Sequence, residues 1–159
     1  MLSLIARSEQ EQERIAATLA ARIPTGCLIY LEGDLGAGKT TFARGLLQGL
    51  GHAGAVKSPT YTLIEPYEIA GRHCYHLDLY RLADPDELEF LGIRDLLQGD
   101  ALLLVEWPER GGDALPVPDI RITISYRESG RQLVLEAKTA LGGELLEWLE
   151  SACGDKVNS

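Results

Sequence analysis

A glycine-rich stretch, Gly33–Thr40, constrains this chain more than any other part of its sequence. It reads GDLGAGKT and matches the pattern G-x-x-x-x-G-K-S/T of a phosphate-binding loop. An apolar run of strand length, Cys27–Glu32, comes directly before it. After it, apolar residues recur at helical spacing from Phe42 to Leu50, and Gly51 is a natural helix stop. Strand, loop and helix therefore follow in the order that phosphate binding requires.

The residue types of this loop explain what it binds. Glycines let the backbone turn its N–H groups inward around an anion, and the next helix adds partial positive charge at its N-terminus. Lys39 brings a full charge near the β- and γ-phosphates, and the Thr40 hydroxyl is a Mg²⁺ ligand. The candidate nucleotide contacts here are Gly33, Asp34, Leu35, Gly36, Ala37, Gly38, Lys39, Thr40 and Thr41.

Composition limits the classes of protein to consider. With 159 residues, 45% of them apolar, we expect one domain over 1–159, with a frayed tail at 154–159. No apolar run approaches the roughly 20 residues that cross a bilayer. A net charge of −9 argues against gripping nucleic acid directly, so any RNA substrate must be held by a partner. Three cysteines without metal or redox spacing favour a reducing compartment, hence the cytoplasm.

The second strong signal is the segment Ala101–Pro108. Its continuous apolar run is typical of a buried parallel strand. The run ends at Glu106, which is the Walker B arrangement with glutamate in place of aspartate and puts an acid beside the Mg²⁺ site. The alternative is a surface glutamate at a strand end. Trp107 is then expected near the nucleotide, as packing or as a gate.

A β-hairpin is predicted from Tyr61–Ile69 and His73–Leu82. Asp78 lies inside its apolar second strand, where a carboxylate is costly unless it is paired or near a metal. We expect it at the Mg²⁺ and the attacking water; the alternative is a pair with Arg81. His73 and His76 face opposite sides of a strand, which argues against a metal site formed by both.

The segment Ser58–Thr62 is rich in hydroxyls and follows the helix after the loop. In many nucleotide hydrolases a threonine at such a place reaches Mg²⁺ or the γ-phosphate. We expect that role for Thr60 ahead of Thr62. The alternative is a turn followed by an edge strand.

Five further elements complete the chain. A short strand and a helix capped by Ser8 with Glu11 come first. An acidic helix is predicted from Asp84, a second hairpin around Glu128–Arg131, and an amphipathic helix at the end. The expected ranges are Leu2–Ala6, Ser8–Ile23, Asp84–Leu97, Asp119–Lys138 and Leu141–Cys153.

Four blocks of sequence together resemble the bacterial TsaE (YjeE) family, the ATPases of tRNA threonylcarbamoyladenosine biosynthesis. Each block alone is modest, whereas the four in this order and spacing are highly specific. The resemblance runs from the first helix to about Lys138. The blocks are Gly33–Thr41, Ser58–Thr62, His76–Arg81 and Val105–Glu109.

The resemblance implies an α/β fold of the P-loop NTPase type, in which helices flank a central mixed, largely parallel β-sheet with β-hairpins. It implies a protein that binds ATP and Mg²⁺ and hydrolyses ATP slowly when alone. The implied partners are a threonylcarbamoyl transferase subunit and its paralogous scaffold. The implied role is the modification of adenosine 37 in tRNAs reading codons that begin with A, through resetting of the complex between turnovers.

Residue roles carry over by position. Lys39 and the loop amides would bind the phosphates, Thr40 and Glu106 would hold Mg²⁺, and Asp78 would act near the water or the metal. The catalytic set is thus Lys39, Asp78 and Glu106. The family also has residues of its N-terminal region and late hairpin around the nucleotide, and the matching positions are Gln10 and Arg131.

Three other functions could use a phosphate-binding loop. A small-molecule kinase should carry an acceptor region and a lid with several arginines, and neither is evident. A GTPase should carry N-K-x-D, but the one asparagine is Asn158. A nucleotide-gated binding module whose hydrolysis is incidental stays open.

Overall fold

A computed structural model of the chain describes residues 1–34, 36–56, 59 and 61–157, with side chains described through residue 153. Strands, α-helices and one 3₁₀ segment alternate along this part of the chain. In chain order they are β1 (Leu2–Ala6), α1 (Glu9–Ala20), β2 (Cys27–Glu32), α2 (Lys39–Gly49), β3 (Ile64–Ile69), β4 (Arg72–Asp78), α3 (Glu87–Phe90), α4 (Ile93–Gln98), β5 (Leu102–Glu106), the 3₁₀ segment (Pro108–Ala114), β6 (Ile120–Arg127), β7 (Gly130–Ala137) and α5 (Ala140–Val157).

The strands form one seven-stranded mixed sheet in the order β1-β7-β6-β2-β5-β4-β3. Its four central strands are parallel, since β2 pairs in parallel with both β5 and β6, and β5 pairs in parallel with β4. The outer strands are added in antiparallel fashion by the two hairpins and by β1. The predicted fold class, a mixed sheet with a parallel centre and hairpins, is therefore confirmed.

The central strands are apolar on both faces because both faces are covered. In β2, Ile29 and Leu31 pack with α1, α2 and α5, whereas Leu28 and Tyr30 pack with the opposite cluster around α3 and α4. The continuous apolar run seen in the sequence is thus explained by a strand buried between two layers. The carboxyl ends of β2, β4 and β5 consequently meet at one edge of the sheet.

The first helix begins as predicted, with a difference in its cap. The Glu11 amide donates to Ser8 Oγ at 3.1 Å. The Glu11 carboxylate, however, accepts from the Arg7 amide at 3.1 Å and not from Ser8, as a standard capping box would require. The helix ends at Ala20, so buried Ile23 packs from the turn after it.

The prediction of one continuous acidic helix at Asp84–Leu97 is wrong about its continuity. The segment forms two short helices, α3 and α4, because Gly92 between them is left-handed at φ +76°. Asp84 does organise the start, since its Oδ1 accepts from the Asp86 amide at 2.9 Å. The break leaves Phe90 at the end of α3 with 90% of its surface exposed.

Both predicted hairpins are confirmed, with shorter connections. Ala70 and Gly71 both have positive φ and form a two-residue turn between β3 and β4. In the later hairpin Arg127 pairs with Gly130. Strand β3 begins at Ile64 and not at Tyr61, and β4 ends at Asp78 and not at Leu82.

The last helix also follows the prediction. Leu145 and Leu149 are buried, and Trp148 Nε1 donates to Thr18 O on α1 at 2.8 Å. Helix α5 continues to Val157. The side chains of the predicted frayed tail, 154–159, lie outside the described part of the chain, and the fraying stays a prediction. Within residues 1–157 as described, no helix is both long and apolar enough to cross a membrane.

Helices α1 and α2 approach closely at two glycines. A Cβ added to Gly45 would lie 2.6 Å from Glu13 Cα, and one added to Gly49 would lie 2.7 Å from Ala17 Cα. In both cases the obstacle is backbone, which cannot rotate away. We expect Gly45→Ala to lower the free energy of unfolding by about 1–3 kcal/mol through overpacking, measured by urea denaturation.

The matched control is Gly143 in α5, where an added Cβ meets no atom within 4 Å. Gly143→Ala should raise the free energy of unfolding by about 0.5–1 kcal/mol, because alanine loses less backbone entropy on entering a helix. A Gly45→Ala variant as stable as the Gly143→Ala variant would contradict the close approach of the helices.

All three cysteines are reduced, with Cys27 and Cys74 buried and Cys153 half-buried. Burial, reinforced by Asp119, raises the pKa of the Cys27 thiol to about 12. Because the thiolate is the nucleophile, iodoacetamide at pH 8 should modify Cys153 in the native protein and spare Cys27 until urea unfolds the chain. Mass spectrometry would detect this, and equal native rates at both cysteines would refute it.

Candidate nucleotide-binding site

The candidate site forms where parallel strands β2, β4 and β5 end side by side. Leu31 of β2 and Asp78 of β4 both pair with Glu106 of β5. The glycine loop leaves β2 directly after Glu32 and returns as α2 at Lys39. Ligands of open α/β sheets bind at this edge, outside the carboxyl ends of the strands. The sheet thus brings the loop and two acidic residues from different strands together.

The loop can take this path only with glycine at its bends. Gly33 has φ +145°, and an added Cβ would lie 2.3 Å from Ile124 O. Gly38 has φ +112°, and an added Cβ would lie 2.7 Å from Gln12 Nε2. At Gly33 the positive φ and the backbone of Ile124 both exclude a side chain, whereas at Gly38 the neighbour is the end of the Gln12 side chain and the positive φ is what disfavours a Cβ.

Lys39 is buried inside the loop, with 5% of its surface exposed. Its Nζ donates to Gly33 O at 2.6 Å and to Asp34 O at 2.9 Å, and it lies 4.4 Å from the centre of the Trp107 ring. The ammonium is therefore held by loop carbonyls beside the position at which a phosphate would bind. Trp107, with a left-handed φ of +57°, directly follows Glu106 and contacts the lysine.

Four acids surround this one ammonium. Burial lowers the pKa of Lys39 from its usual range, and the carboxylates of Glu106, Asp78, Asp34 and Glu109 act in the opposite direction. One cation among several carboxylates leaves the site rich in negative charge. A divalent cation would balance it.

Thr40 and Glu106, the two residues expected to hold Mg²⁺, lie within hydrogen-bonding distance of each other. Thr40 Oγ1 donates to Glu106 Oε2 at 3.2 Å, and Glu106 is only 3% exposed. The alternative of a surface glutamate at the strand end is therefore wrong. A hydroxyl and a carboxylate at this spacing are the hard oxygen ligands that Mg²⁺ prefers.

The same carboxylate oxygen has a second partner that the sequence analysis missed. His76 Nε2 lies 2.6 Å from Glu106 Oε2, and His76 is fully buried. His73 is exposed, so the two histidines do face opposite sides of β4. The sequence signal that could have indicated a buried, bonded His76 was a polar residue at an inward-facing position of β4.

Asp78 is buried beside Glu106 at the end of β4, with 5% of its surface exposed. Its Oδ1 accepts from the Tyr80 amide at 3.0 Å. The charge of Asp78 acts on Lys39, so this carboxylate lies within electrostatic range of the loop lysine. The Arg81 guanidinium, its alternative partner, lies over the Tyr61 ring at 4.5 Å from the centre.

Side chains from two distant elements support the loop from outside. Arg131 Nε of β7 donates to Ala37 O at 3.1 Å. Gln12 Nε2 of α1 donates to Gly38 O at 2.7 Å, and Gln12 is 2% exposed. Gln10, the position carried over by resemblance, is exposed on α1. The contact from this helix to the loop is made by Gln12, which shares the apolar face of Ile15 and Leu19.

Several candidates lie beside or outside this constellation. Thr41 is buried in the first turn of α2. Thr62 Oγ1 donates to Glu65 Oε1 at 3.0 Å. Leu35, Ser58 and Thr60 lie outside the described residues, so the expected role of Thr60 stays a prediction.

A cavity of about 470 Å³ lies on the face of the sheet that carries Tyr30. Its walls come from the end of β2, from β6 and from the 3₁₀ segment, and include Tyr30, Glu32 and Arg121. Its lining contains none of the loop residues, and Arg121 there is already paired with Glu32. The chemistry therefore points to the sheet edge and not to this cavity.

The support from Gln12 can be tested by truncation. Gln12→Ala removes one of the two donors to Gly38 O, which keeps its bond from the Phe42 amide, and we expect the free energy of unfolding to fall by about 0.5–1.5 kcal/mol. Gln10→Ala, at an exposed site on the same helix, should change it by less than about 0.5 kcal/mol. Denaturation would measure both, and equal losses would contradict the assignment. Nucleotide affinity of Gln10→Ala separately tests the contact implied by resemblance.

Comparison with known proteins agrees with the geometry. A family model described as "Threonylcarbamoyl adenosine biosynthesis protein TsaE" matches residues 6–133. A tRNA threonylcarbamoyladenosine biosynthesis protein TsaE of Haemophilus influenzae is 57% identical over 119 residues, 75% of each chain. A protein of the same description from Bacillus subtilis is 42% identical over 115 residues, 72% of each chain.

A solved structure extends the likeness to the fold. The crystal structure of YdiB from Bacillus subtilis matches with a TM-score of 0.82 and 32% identity, covering 95% of both chains. The matched region of the family model contains the loop, Asp78, Glu106 and Arg131. The chain belongs to the TsaE family, whose members are named for tRNA threonylcarbamoyladenosine biosynthesis.

Proposed function

We propose that this protein is a cytoplasmic, Mg²⁺-dependent ATP-binding and ATP-hydrolysing subunit of tRNA threonylcarbamoyladenosine biosynthesis. In this proposal it acts with a threonylcarbamoyl transferase subunit and the paralogous scaffold of that subunit. It is required for threonylcarbamoylation of adenosine 37 in tRNAs that read codons beginning with A. Family membership and the names of the relatives support the pathway.

One observation carries the ATPase part of the proposal. A glycine loop with a buried lysine and a Thr40–Glu106 contact of 3.2 Å occur together at the carboxyl ends of the parallel strands. This combination serves nucleoside triphosphates with Mg²⁺.

The residues fit both ligands. Loop glycines at positive φ leave room for phosphate oxygens to approach the backbone, and Lys39 supplies a charge already inside the loop. Thr40 and Glu106 would hold the metal, since they present a hydroxyl and a carboxylate toward each other. Bound Mg²⁺ would neutralise charge that develops on the phosphate oxygens.

Phosphoryl transfer requires little from the protein beyond positioning and charge. Lys39 and the loop amides bind the β- and γ-phosphates. Asp78 or Glu106 orients the attacking water, since both carboxylates are buried at the same sheet edge beside Lys39. Trp107 covers the lysine and reduces access of bulk water to it.

The arrangement supports slow turnover without partners. An arginine that stabilises the transition state accounts for a large part of phosphoryl-transfer rates. Of the arginines near the loop, Arg131 is bonded to the Ala37 carbonyl and stacked on Tyr126. In the proposal a partner protein completes the site. The net charge of −9 likewise requires that the partners hold the tRNA.

A nucleotide-gated binding module is the second candidate, and one observation favours it. Lys39 is bonded to two loop carbonyls, so an arriving phosphate must replace these bonds and change the loop. Binding alone could then signal to a partner, with hydrolysis incidental.

Two variants separate binding from hydrolysis. Lys39→Ala removes a charge-assisted contact to phosphate, and we expect ATP affinity to fall about 10- to 100-fold, measured by calorimetry. Glu106→Ala should keep the Mg²⁺-free ATP affinity and lose about 100-fold or more of the hydrolysis rate, because it removes the carboxylate that would hold Mg²⁺ and stabilise the transition state. Wild-type hydrolysis in the Glu106→Ala variant would contradict the assignment of Glu106.

The partner requirement is tested by reconstitution. ATP hydrolysis is measured for the protein alone, with the two transferase-complex proteins, and with tRNA, using Glu106→Ala as the inactive control. Stimulation by the partners that the variant loses supports a regulated ATPase. Tight association with unchanged hydrolysis would favour the nucleotide-gated module instead.

A further inference from the structure

We propose that His76 is a positioning residue that fixes the orientation of the Glu106 carboxylate toward Thr40, and thereby sets the affinity of the site for Mg²⁺. The inference rests on the proposed function, because it takes Glu106 to be a metal ligand. It adds a residue whose effect on the metal is transmitted through that carboxylate.

His76 lies on β4, two residues before Asp78 and therefore one side-chain alternation away from the sheet edge. His76 pairs with Leu104 on β5, and Asp78 pairs with Glu106, so His76 and Glu106 are diagonal neighbours on the same face. The distance from His76 Nε2 to Glu106 Oε2 is 2.6 Å, and the two side chains are 0% and 4% exposed. No contact to solvent competes with this bond.

The direction of the bond follows from the chemistry of the partners. A carboxylate that binds Mg²⁺ only accepts hydrogen bonds, so in this proposal His76 donates from Nε2 and carries its proton there. Within the described part of the chain, His76 Nδ1 is buried and has no hydrogen-bond partner. A buried unpaired nitrogen is a cost that an apolar side chain at this core position would avoid. The single bond to Glu106 is therefore the contribution that an apolar residue could not make.

The effect on the site comes from the shared oxygen. Glu106 Oε2 accepts from both His76 Nε2 and Thr40 Oγ1. With His76 in place, this oxygen is fixed beside the Thr40 hydroxyl. Without it, the carboxylate loses its buried donor and is free to rotate away from Thr40. Outer partners of this kind orient metal ligands and usually matter about 10- to 100-fold in metal affinity or activity.

The test compares two replacements at His76 with a control on the same strand. His76→Leu removes the donor but keeps an apolar volume, and His76→Gln restores an N–H donor near the position of Nε2. Cys74→Ala is the matched control, since Cys74 is fully buried one alternation earlier on β4. Each variant is titrated with a non-hydrolysable ATP analogue, with and without Mg²⁺, by calorimetry.

We expect Mg²⁺ to tighten binding of the analogue in the wild type and in Cys74→Ala. His76→Leu should keep the Mg²⁺-free affinity and lose about 10-fold of the tightening by Mg²⁺. His76→Gln should regain most of that tightening. Full tightening in a folded His76→Leu variant would overturn the inference and leave His76 as a residue of the core alone.

A second measurement uses no variant of His76, so it is valid even if those variants fail to fold. In ¹⁵N-histidine-labelled wild type, with three histidines in the chain, one should show a slowly exchanging proton on Nε2. Its signal should move in Glu106→Gln. A proton on Nδ1 instead would overturn the inference. If Glu106→Gln leaves the tightening of analogue binding by Mg²⁺ unchanged, Glu106 is not a metal ligand, and the proposed function fails at that point independently of His76.

Discussion

The structure depends on how a few charged side chains are buried at one edge of the sheet. Lys39, Asp78 and Glu106 are each at most 5% exposed, and buried charges are tolerated only with partners. Lys39 has two loop carbonyls, and Glu106 has Thr40 and His76. These partners come from the loop, α2 and β4, so the strand order, the loop path and the register must all be correct together.

The conformation of the glycine loop is fixed by contacts with the rest of the fold. The backbone of β6 closes against Gly33, the amide of Gln12 supports Gly38 and the guanidinium of Arg131 supports Ala37. Close packing of α1 on α2 through Gly45 brings Gln12 within reach of the loop. A helix and a hairpin far apart in sequence thus fix the loop conformation.

Sequence reasoning succeeded where a local pattern has one physical meaning. The apolar runs predicted as strands at Cys27–Glu32 and Ala101–Glu106 form buried parallel strands in the structure. The glycines of the predicted loop have the positive φ that its bends require. It failed where a local signal was overridden, as at Gly92, whose left-handed backbone divides the predicted acidic helix. It also missed the loop contact of Gln12, because that contact depends on which face of α1 packs against the loop, whereas the expected role of Gln10 at the nucleotide stays a prediction.

The sequence by itself determined the glycine loop, the strand before it, the helix after it and the acid at the end of β5, because each is encoded within about ten consecutive residues. Only the tertiary structure decided that Glu106 meets both Thr40 and His76, since those three residues lie on different elements and meet through the pairing of β4 with β5. The physical reason is that hydrogen-bond partners of a buried charge are set by register and packing, which a one-dimensional pattern does not contain.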